Sequence, residues 1–333
     1  MVKKKERIYS SKLGRLVHGD FIELSTESNK IADLKGKVNL IITSPPFPLN
    51  KKKKYGNKTG GDYLEWFVSL APLFSELLAK DGSLVIEIGN AWEPERPVQS
   101  LLHLECLLSL VKHPSAGLRL IQEFICYNPS KLPSPAQWVT VNRLRTVDSY
   151  THVWWLAKSD YPKADNSKVL RPYSKSMENL LKTQKYNAGK RPSQHDISKK
   201  GFLKSHGGSI AHNFFEMEQL NGNRELRLPH NVMSFSNTNS NDYFLTACRK
   251  KNIVPHPARM SGGLVNFFIE FLTGEGDLVL DPFSGSNTTG FCAEKLRRKW
   301  ISFEIKEDYI KQAITRFSEP SLKSPLKEIK WKI

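Results

Sequence analysis

Two short stretches hold residues whose types and order could do chemistry. "TSPPF", Thr43 to Phe47, follows the apolar run Leu40, Ile41, Ile42, and "DPFSGSNTTG", Asp281 to Gly290, follows a second apolar run. Pro45 and Pro46 have no N–H and a fixed φ. Each also holds the residue before it in extended backbone. The result is a rigid turn that offers the Ser44 hydroxyl and backbone carbonyls, with few donors to compete. Phe47 adds a flat apolar surface. Acceptors beside a ring suit a planar molecule with an exocyclic amino group. A proline pair standing alone is more often an ordinary strand terminator.

The second stretch reads as a strand ending at Asp281, a tight turn through Ser284, Gly285 and Ser286, and a helix from near Thr288. Such a unit brings backbone N–H groups and a helix N-terminus against a ligand. Glu304 closes the next strand, 19 positions after Gly285 (304 − 285). An acidic residue about 20 positions on is placed to bind ribose hydroxyls. The pattern is neither GxGxxG nor a loop ending in GKS or GKT. A nucleoside-bearing cofactor therefore suits it better than a dinucleotide or a nucleoside triphosphate. A plain βα turn with a packing glycine is the competing reading.

Both stretches need a scaffold that ends two strands at one place. In an open α/β sheet, ligands sit beyond the carboxyl ends of the strands. Strand patterns occur at Gly14 to Asp20, Lys37 to Ser44, Gly82 to Asn90, Leu120 to Asn128, Thr151 to Ala157, Asp277 to Phe283 and Arg298 to Ile305. Helical patterns lie between them, in "DYLEWFVSLAPLFSELLAKDG", "GLVNFFIEFLTG" and "TTGFCAEKLRRK". The alternation predicts an α/β fold with a doubly wound, mainly parallel, Rossmann-like sheet. From Ser159 to Lys251 the periodicity fades and the chain turns polar, turn-rich and basic. A stretch this long without periodicity reads as an inserted recognition segment. The division is then 1–158, 159–251 and 252–333.

The charge points to a partner. Fifty Lys and Arg against 33 Asp and Glu leave a formal charge of +17 in 333 residues, which favours a polyanion. No run of about 18 apolar residues predicts a membrane span. The basic N-terminus lacks the apolar stretch of a secretory signal. Cys106, Cys126, Cys248 and Cys292 are too scattered for a disulfide framework or a zinc site, which predicts buried thiols, a reducing cytoplasm and no metal.

Taken together, "TSPPF" and "DPFSGSNTTG" resemble the paired motifs of amino-directed DNA methyltransferases. The serine of Ser-Pro-Pro-Phe resembles the cytosine-4-amino branch, and the motif order, catalytic first and cofactor last, resembles the permuted beta group. "YNPSKLPSP", "HVWWLAK", "GKRPSQHDI" and "HPARM" resemble the branch of the PvuII-type modification enzymes. The resemblance spans roughly Leu16 to Phe317. It departs after "HPARM", where Ser261, Gly262 and Gly263 replace the family's usual proline.

The resemblance implies S-adenosyl-L-methionine as cofactor and the 4-amino group of a flipped cytosine in double-stranded DNA as target. The site is then the modification arm of a restriction-modification system, with a cognate restriction endonuclease as a functional partner. It implies Ser44, Pro45, Pro46 and Phe47 at the reacting base. Asp20, Asp281, Phe283, Ser284, Gly285, Ser286, Asn287 and Glu304 are implied at the cofactor. Lys51, Lys52, Lys53 and Lys54, with Lys190, Arg191, His195, Lys199 and Lys200, are DNA candidates. Methylation of adenine's 6-amino group and a non-catalytic basic DNA-binding protein are the rival readings.

Overall fold

The computed structural model describes residues 7–26, 31–47, 58–198, 201–218, 233–236, 242–256 and 258–329. Thirteen strands are found among them: β1 (Arg7–Ser10), β2 (Gly14–His18), β3 (Val38–Thr43), β4 (Leu78–Gly89), β5 (Arg119–Tyr127), β6 (Tyr150–Ala157), β7 (Gly189–Lys190), β8 (Asp196–Ile197), β9 (Phe214–Glu218), β10 (Met233–Ser236), β11 (Leu278–Asp281), β12 (Lys299–Glu304) and β13 (Lys327–Ile329). The helices are α1 (Phe21–Thr26), α2 (Gly60–Leu77), α3 (Leu102–Val111), α4 (Lys175–Thr183), α5 (Tyr243–Lys250), α6 (Gly262–Leu272), α7 (Thr288–Lys295) and α8 (Glu307–Arg316).

Eleven strands form one sheet in the order β10-β9-β5-β6-β4-β3-β11-β12-β2-β1-β13. Its centre, β4-β3-β11-β12-β2, is parallel throughout. Strand β6 runs antiparallel between β4 and β5, and β1 pairs antiparallel with β2 and β13. This is the mainly parallel α/β sheet that the strand–helix alternation predicts.

The short apolar runs form central strands because both sheet faces are covered. A strand buried on two faces reads as a continuous apolar run. Alternation then divides its side chains. Leu40 and Ile42 join Val279, Phe268 and Ile269 in the core under α6. Ile41 points the other way and joins Leu280, Phe67 and Phe74 in the core under α2. In α2, Tyr63, Phe67, Leu70 and Phe74 fall on one face and are buried. Trp154 and Trp155 are core residues on β6, and all four cysteines are buried and free.

Two boundaries differ from the sequence pattern. The apolar periodicity of α2 runs on towards Gly82, yet the helix stops at Leu77. Leu78 already pairs with Val38 as the first residue of β4. A Cβ on Gly82 would come within 2.7 Å of the Val38 carbonyl oxygen, so the glycine serves a close backbone approach and caps no helix. The stretch 159–251 is not wholly separate from the sheet either. It contributes β9, whose Phe214 and Phe215 pair beside Ile125 and Cys126 of β5, and then β10 on the edge. Phe215 is fully buried and stacks on Phe124. Alternation within so short a strand is hidden by the polar chain around it.

Gly290, in the first turn of α7, is where this packing is tightest beside the site. A Cβ there would sit 2.5 Å from Asn287 Oδ1 and 2.7 Å from Trp300 Cε3. Overpacking of this kind costs about 1–3 kcal/mol. Gly290→Ala should lower the denaturation midpoint accordingly in a urea titration. A midpoint equal to the parent's would show that α7 can shift without cost.

Candidate active site

Strands β3, β11, β12 and β2 are parallel neighbours, so their carboxyl ends lie side by side. Beyond them opens a cavity of about 350 Å³, within the size range of small-molecule sites, roughly 300–1,000 Å³. The turn after β3 contributes Ser44, Pro45, Pro46 and Phe47. The turn after β11 contributes Asp281, Phe283, Ser284, Gly285 and Ser286. Glu304 comes from the end of β12, and Asp20 from the turn after β2.

Asp281 joins the two sequence motifs. Its Oδ1 accepts from Thr43 Oγ1 at 2.8 Å and from the Phe283 N–H at 3.1 Å, and its Oδ2 accepts from Thr289 Oγ1 at 2.6 Å. One carboxylate therefore ties the last residue of β3 to the turn after β11 and to α7. Burial pushes Asp281 up to about 6, against the three hydrogen bonds, which favour its charged form.

Glu304 braces the turn after β11. Its Oε2 accepts the Gly285 N–H and its Oε1 the Lys306 N–H, both at 2.8 Å. Burial pushes its carboxyl up to about 7, with the neighbouring Asp281 acting in the same direction. Gly285 has φ +52°, a left-handed conformation that glycine adopts without strain. Arg316 holds the turn from beneath by donating to the Ser286 carbonyl and to Ser286 Oγ, each at 2.9 Å. Its guanidinium also lies 3.9 Å from the Phe244 ring of α5. Thus α5, inside 159–251, packs against the support of this turn, although the sequence division separates them at 251.

Phe47 rests on the end of β4, where a Cβ on Gly89 would lie 2.6 Å from its ring. Asp20 lines the cavity while its Oδ1 caps α1, accepting the N–H groups of Ile22 at 2.8 Å and Glu23 at 3.2 Å.

Asn287 stands apart from the other residues expected at the cofactor. It does not line the cavity: it is fully buried, its Oδ1 accepts from Gly290 N at 3.0 Å and from Ser302 Oγ at 2.8 Å, and it caps α7. A capping asparagine and a ligand-binding one look alike in sequence, because both begin a helix after a glycine turn. Lys190, Arg191 and His195 belong to the separate β7–β8 hairpin and do not line the cavity. Lys51 to Lys54, Lys199 and Lys200 lie outside the described residues.

Several cavity residues carry no clear sequence signal. Trp66 on α2 faces Phe283, ring centroids 5.5 Å apart, and Tyr309 on α8 meets the His256 ring at 4.2 Å. His256, Arg259 and Met260 come from the "HPARM" stretch. His256 Nδ1 accepts the Ala258 N–H at 3.1 Å. Burial lowers its pKa, which keeps the ring neutral. Only the fold reveals that helix residues such as Trp66 and Tyr309 project over strand ends.

Residues 38–315 match the DNA methylase family model, that of the N6 and N4 methyltransferases. The chain belongs to this family. It is 38% identical over 320 residues to the type II methyltransferase M.PvuII of Proteus hauseri, covering 96% of this chain and 88% of that one. A solved PvuII DNA methyltransferase, described as cytosine-N4-specific, matches with a TM-score of 0.69 at 32% identity, over 95% of this chain and 90% of the other. The fold alone is shared with a complex of M1.HpyAVI with S-adenosyl-L-methionine, at a TM-score of 0.50 and 18% identity over 92% of this chain. No described helix of this methylase is long and apolar enough to cross a membrane.

The two buried acids give the methylase a pH-dependent stability. The unfolded chain releases the Glu304 proton near 4.5 and the folded chain near 7. Between those values the folded state binds more protons, so stability falls as pH rises through that window, by an order of 3 kcal/mol. Asp281 acts in the same direction between 3.8 and about 6. In the ligand-free protein, Glu304→Gln should flatten this decline, leaving the smaller part due to Asp281. Denaturation midpoints at about pH 5 and about pH 8 measure it. An unchanged slope would mean that Glu304 ionises freely in the folded chain.

Proposed function

We propose that this protein transfers a methyl group from S-adenosyl-L-methionine to the exocyclic 4-amino group of a cytosine flipped out of duplex DNA. One observation carries the reading: the Ser44–Phe47 turn and the Gly285–Glu304 side line a single cavity, joined through Asp281. The similarity to a cytosine-N4-specific enzyme over nearly the whole chain supports the choice of base.

The residues fit the cofactor. Glu304, once ionised, offers a carboxylate to ribose hydroxyls, and Gly285 lets backbone approach closely because it has no Cβ. Asp20 can accept from the adenine amine, and Phe283 with Trp66 supplies apolar wall. Arg259, which also lines the cavity, adds positive charge for a carboxylate. When bound, S-adenosyl-L-methionine supplies a methyl group activated by its sulfonium charge.

The protein's part is positioning. The lone pair of a cytosine amine is delocalised into the ring, so the amine is a weak nucleophile. Ser44 Oγ and the Pro45 carbonyl, accepting its hydrogens, favour a pyramidal nitrogen with the lone pair free to attack. The proline turn holds both acceptors in place before the base arrives, and such orientation supplies much of the rate. Phe47 offers its ring to the flipped base, since a stacked base cannot enter the cavity. Thr43, held by Asp281, keeps the turn in register with the cofactor side.

Within 159–251, the chain outside β9, β10 and α5 is the part we assign to sequence recognition, with Lys190, Arg191 and His195 on its hairpin. The flanking 1–158 and 252–333 then hold the chemistry. A restriction endonuclease of the same specificity is the functional partner, and the cytoplasm of a bacterial or archaeal cell is the place of action.

Sequencing DNA from cells that express the protein, with detection of modified bases, tests the reading. It expects 4-methylcytosine at one recurring sequence. Methylated adenine would move the target to the 6-amino group, and unmodified DNA from cells holding folded protein would overturn the activity. Ser44→Ala should lower turnover by about 30-fold or more, the loss of roughly 2 kcal/mol at the reacting amine, with cofactor affinity unchanged. Calorimetry that found the loss in cofactor binding instead would remove Ser44 from the amine pocket.

A further inference from the structure

The connection between β5 and β6 emerges beside the catalytic turn. Tyr127 at the end of β5 pairs with Tyr150 at the start of β6, and Thr151 lies opposite Gly89, on which Phe47 rests. Residues 128–149 therefore rise from the same edge of the sheet as Ser44 to Phe47.

This connection is folded. The Leu144 and Arg145 N–H groups both donate to the Trp138 carbonyl, at 2.9 and 3.3 Å. The Gln137 amide donates to Asn142 Oδ1 at 2.7 Å. Arg145 stacks its guanidinium 3.3 Å from the Trp92 ring, just past the end of β4. No hydrogen-bond acceptor for its three nitrogens is found among the described residues. Yet the tip of this pinned loop holds Val141 at 66% and Leu144 at 63% exposure, with Arg143 exposed between them at φ 53°.

A rigid loop that keeps two large apolar side chains in water beside an exposed arginine, Arg143, suits a partner both apolar and anionic. A duplex opened at one base is such a partner. The departing base leaves bare base faces, and phosphates flank the gap. Apolar wedges are a recurrent way to hold an unstacked step.

We propose that 128–149 is a second DNA-contacting element of this methylase, in which Val141 and Leu144 fill the stack beside the departing base. Arg143 pairs with a phosphate, and Arg145 acts as a positioning residue that pins the loop to Trp92. The proposal rests on the activity argued above.

The test uses the full chain with a V141S/L144S double variant and an R143Q variant. Both change exposed side chains, and unchanged cofactor binding by calorimetry checks that they fold. Turnover is measured at saturating DNA on a duplex carrying the methylated site, and on the same duplex with the target base mispaired. A mispaired base leaves the stack at lower cost. The double variant should lose about tenfold or more in kcat on the paired duplex and come within about twofold of the parent on the mispaired one. R143Q should make the slope of log affinity against log salt shallower by about 0.9, read by anisotropy on a 40-base-pair duplex of any sequence. Parental turnover on the paired duplex, or an equal loss on both duplexes, overturns the wedge. An unchanged salt slope overturns the phosphate contact. If the parent itself methylates no DNA, the activity reading fails separately, and anisotropy still decides the loop: unaltered duplex affinity in both variants overturns it.

Discussion

The Asp281 carboxylate is the constraint on which the site depends. It is almost completely buried, and its oxygens are taken by Thr43, Thr289 and the Phe283 N–H. Those three groups belong to a strand end, a helix and a turn, and Thr43 at the strand end lies 238 residues from Asp281 in sequence. A buried carboxylate is tolerated only when hydrogen-bonded. The fold therefore cannot keep Asp281 without also holding the end of β3 against the turn after β11. The turn after β3 and the turn after β11 share one cavity because one acid has to be satisfied.

Similar economy marks the other supports. Glu304 accepts two backbone N–H groups that would otherwise lie unpaired at the rim, and burial raises its pKa at the same time. A carboxylate desolvated before ligand binds gains most from donors that a ligand brings. Arg316 is buried and has its pKa lowered to about 10, chiefly by burial, yet it anchors Ser286 through two hydrogen bonds. The site is thus built from polar groups held out of water and aimed at the strand ends. The stability that the folded chain loses on ionising them is the counterpart of a pocket arranged in advance.

The carboxyl edge of the sheet also orders what surrounds the cavity. Strands β3, β11, β12 and β2 end there, and the antiparallel β6 starts there, so the β5–β6 connection is delivered to the same edge. Phe47 on Gly89 and Arg145 on Trp92 are contacts made at that edge, both just at or past the end of β4. The cations of 128–149 lie outside the polar stretch 159–251, where composition alone would look for contacts with DNA.

Much of this was legible in the residues themselves. Leu40 to Ile42 and Leu278 to Leu280 had to be covered strands, because an apolar run bounded by turn residues is stable only between two layers. The turns at Ser44–Phe47 and Ser284–Ser286 followed from the backbone limits of proline and glycine, which act locally. Glu304 was readable from its spacing, since one helix and one strand span a nearly constant length. Asn287 was not: whether its amide faces a ligand or caps α7 depends on Ser302 and Gly290, which only packing brings to it. Phe214 and Phe215 joined the sheet against the polarity of their neighbours, because β5 left an edge and a core beside Phe124 to fill. Trp66, Tyr309 and His256 reached the cavity only through the crossing of helices and turns over the strand ends. Local backbone chemistry is written residue by residue, whereas a side chain's neighbours across the sheet are decided by which strands end together.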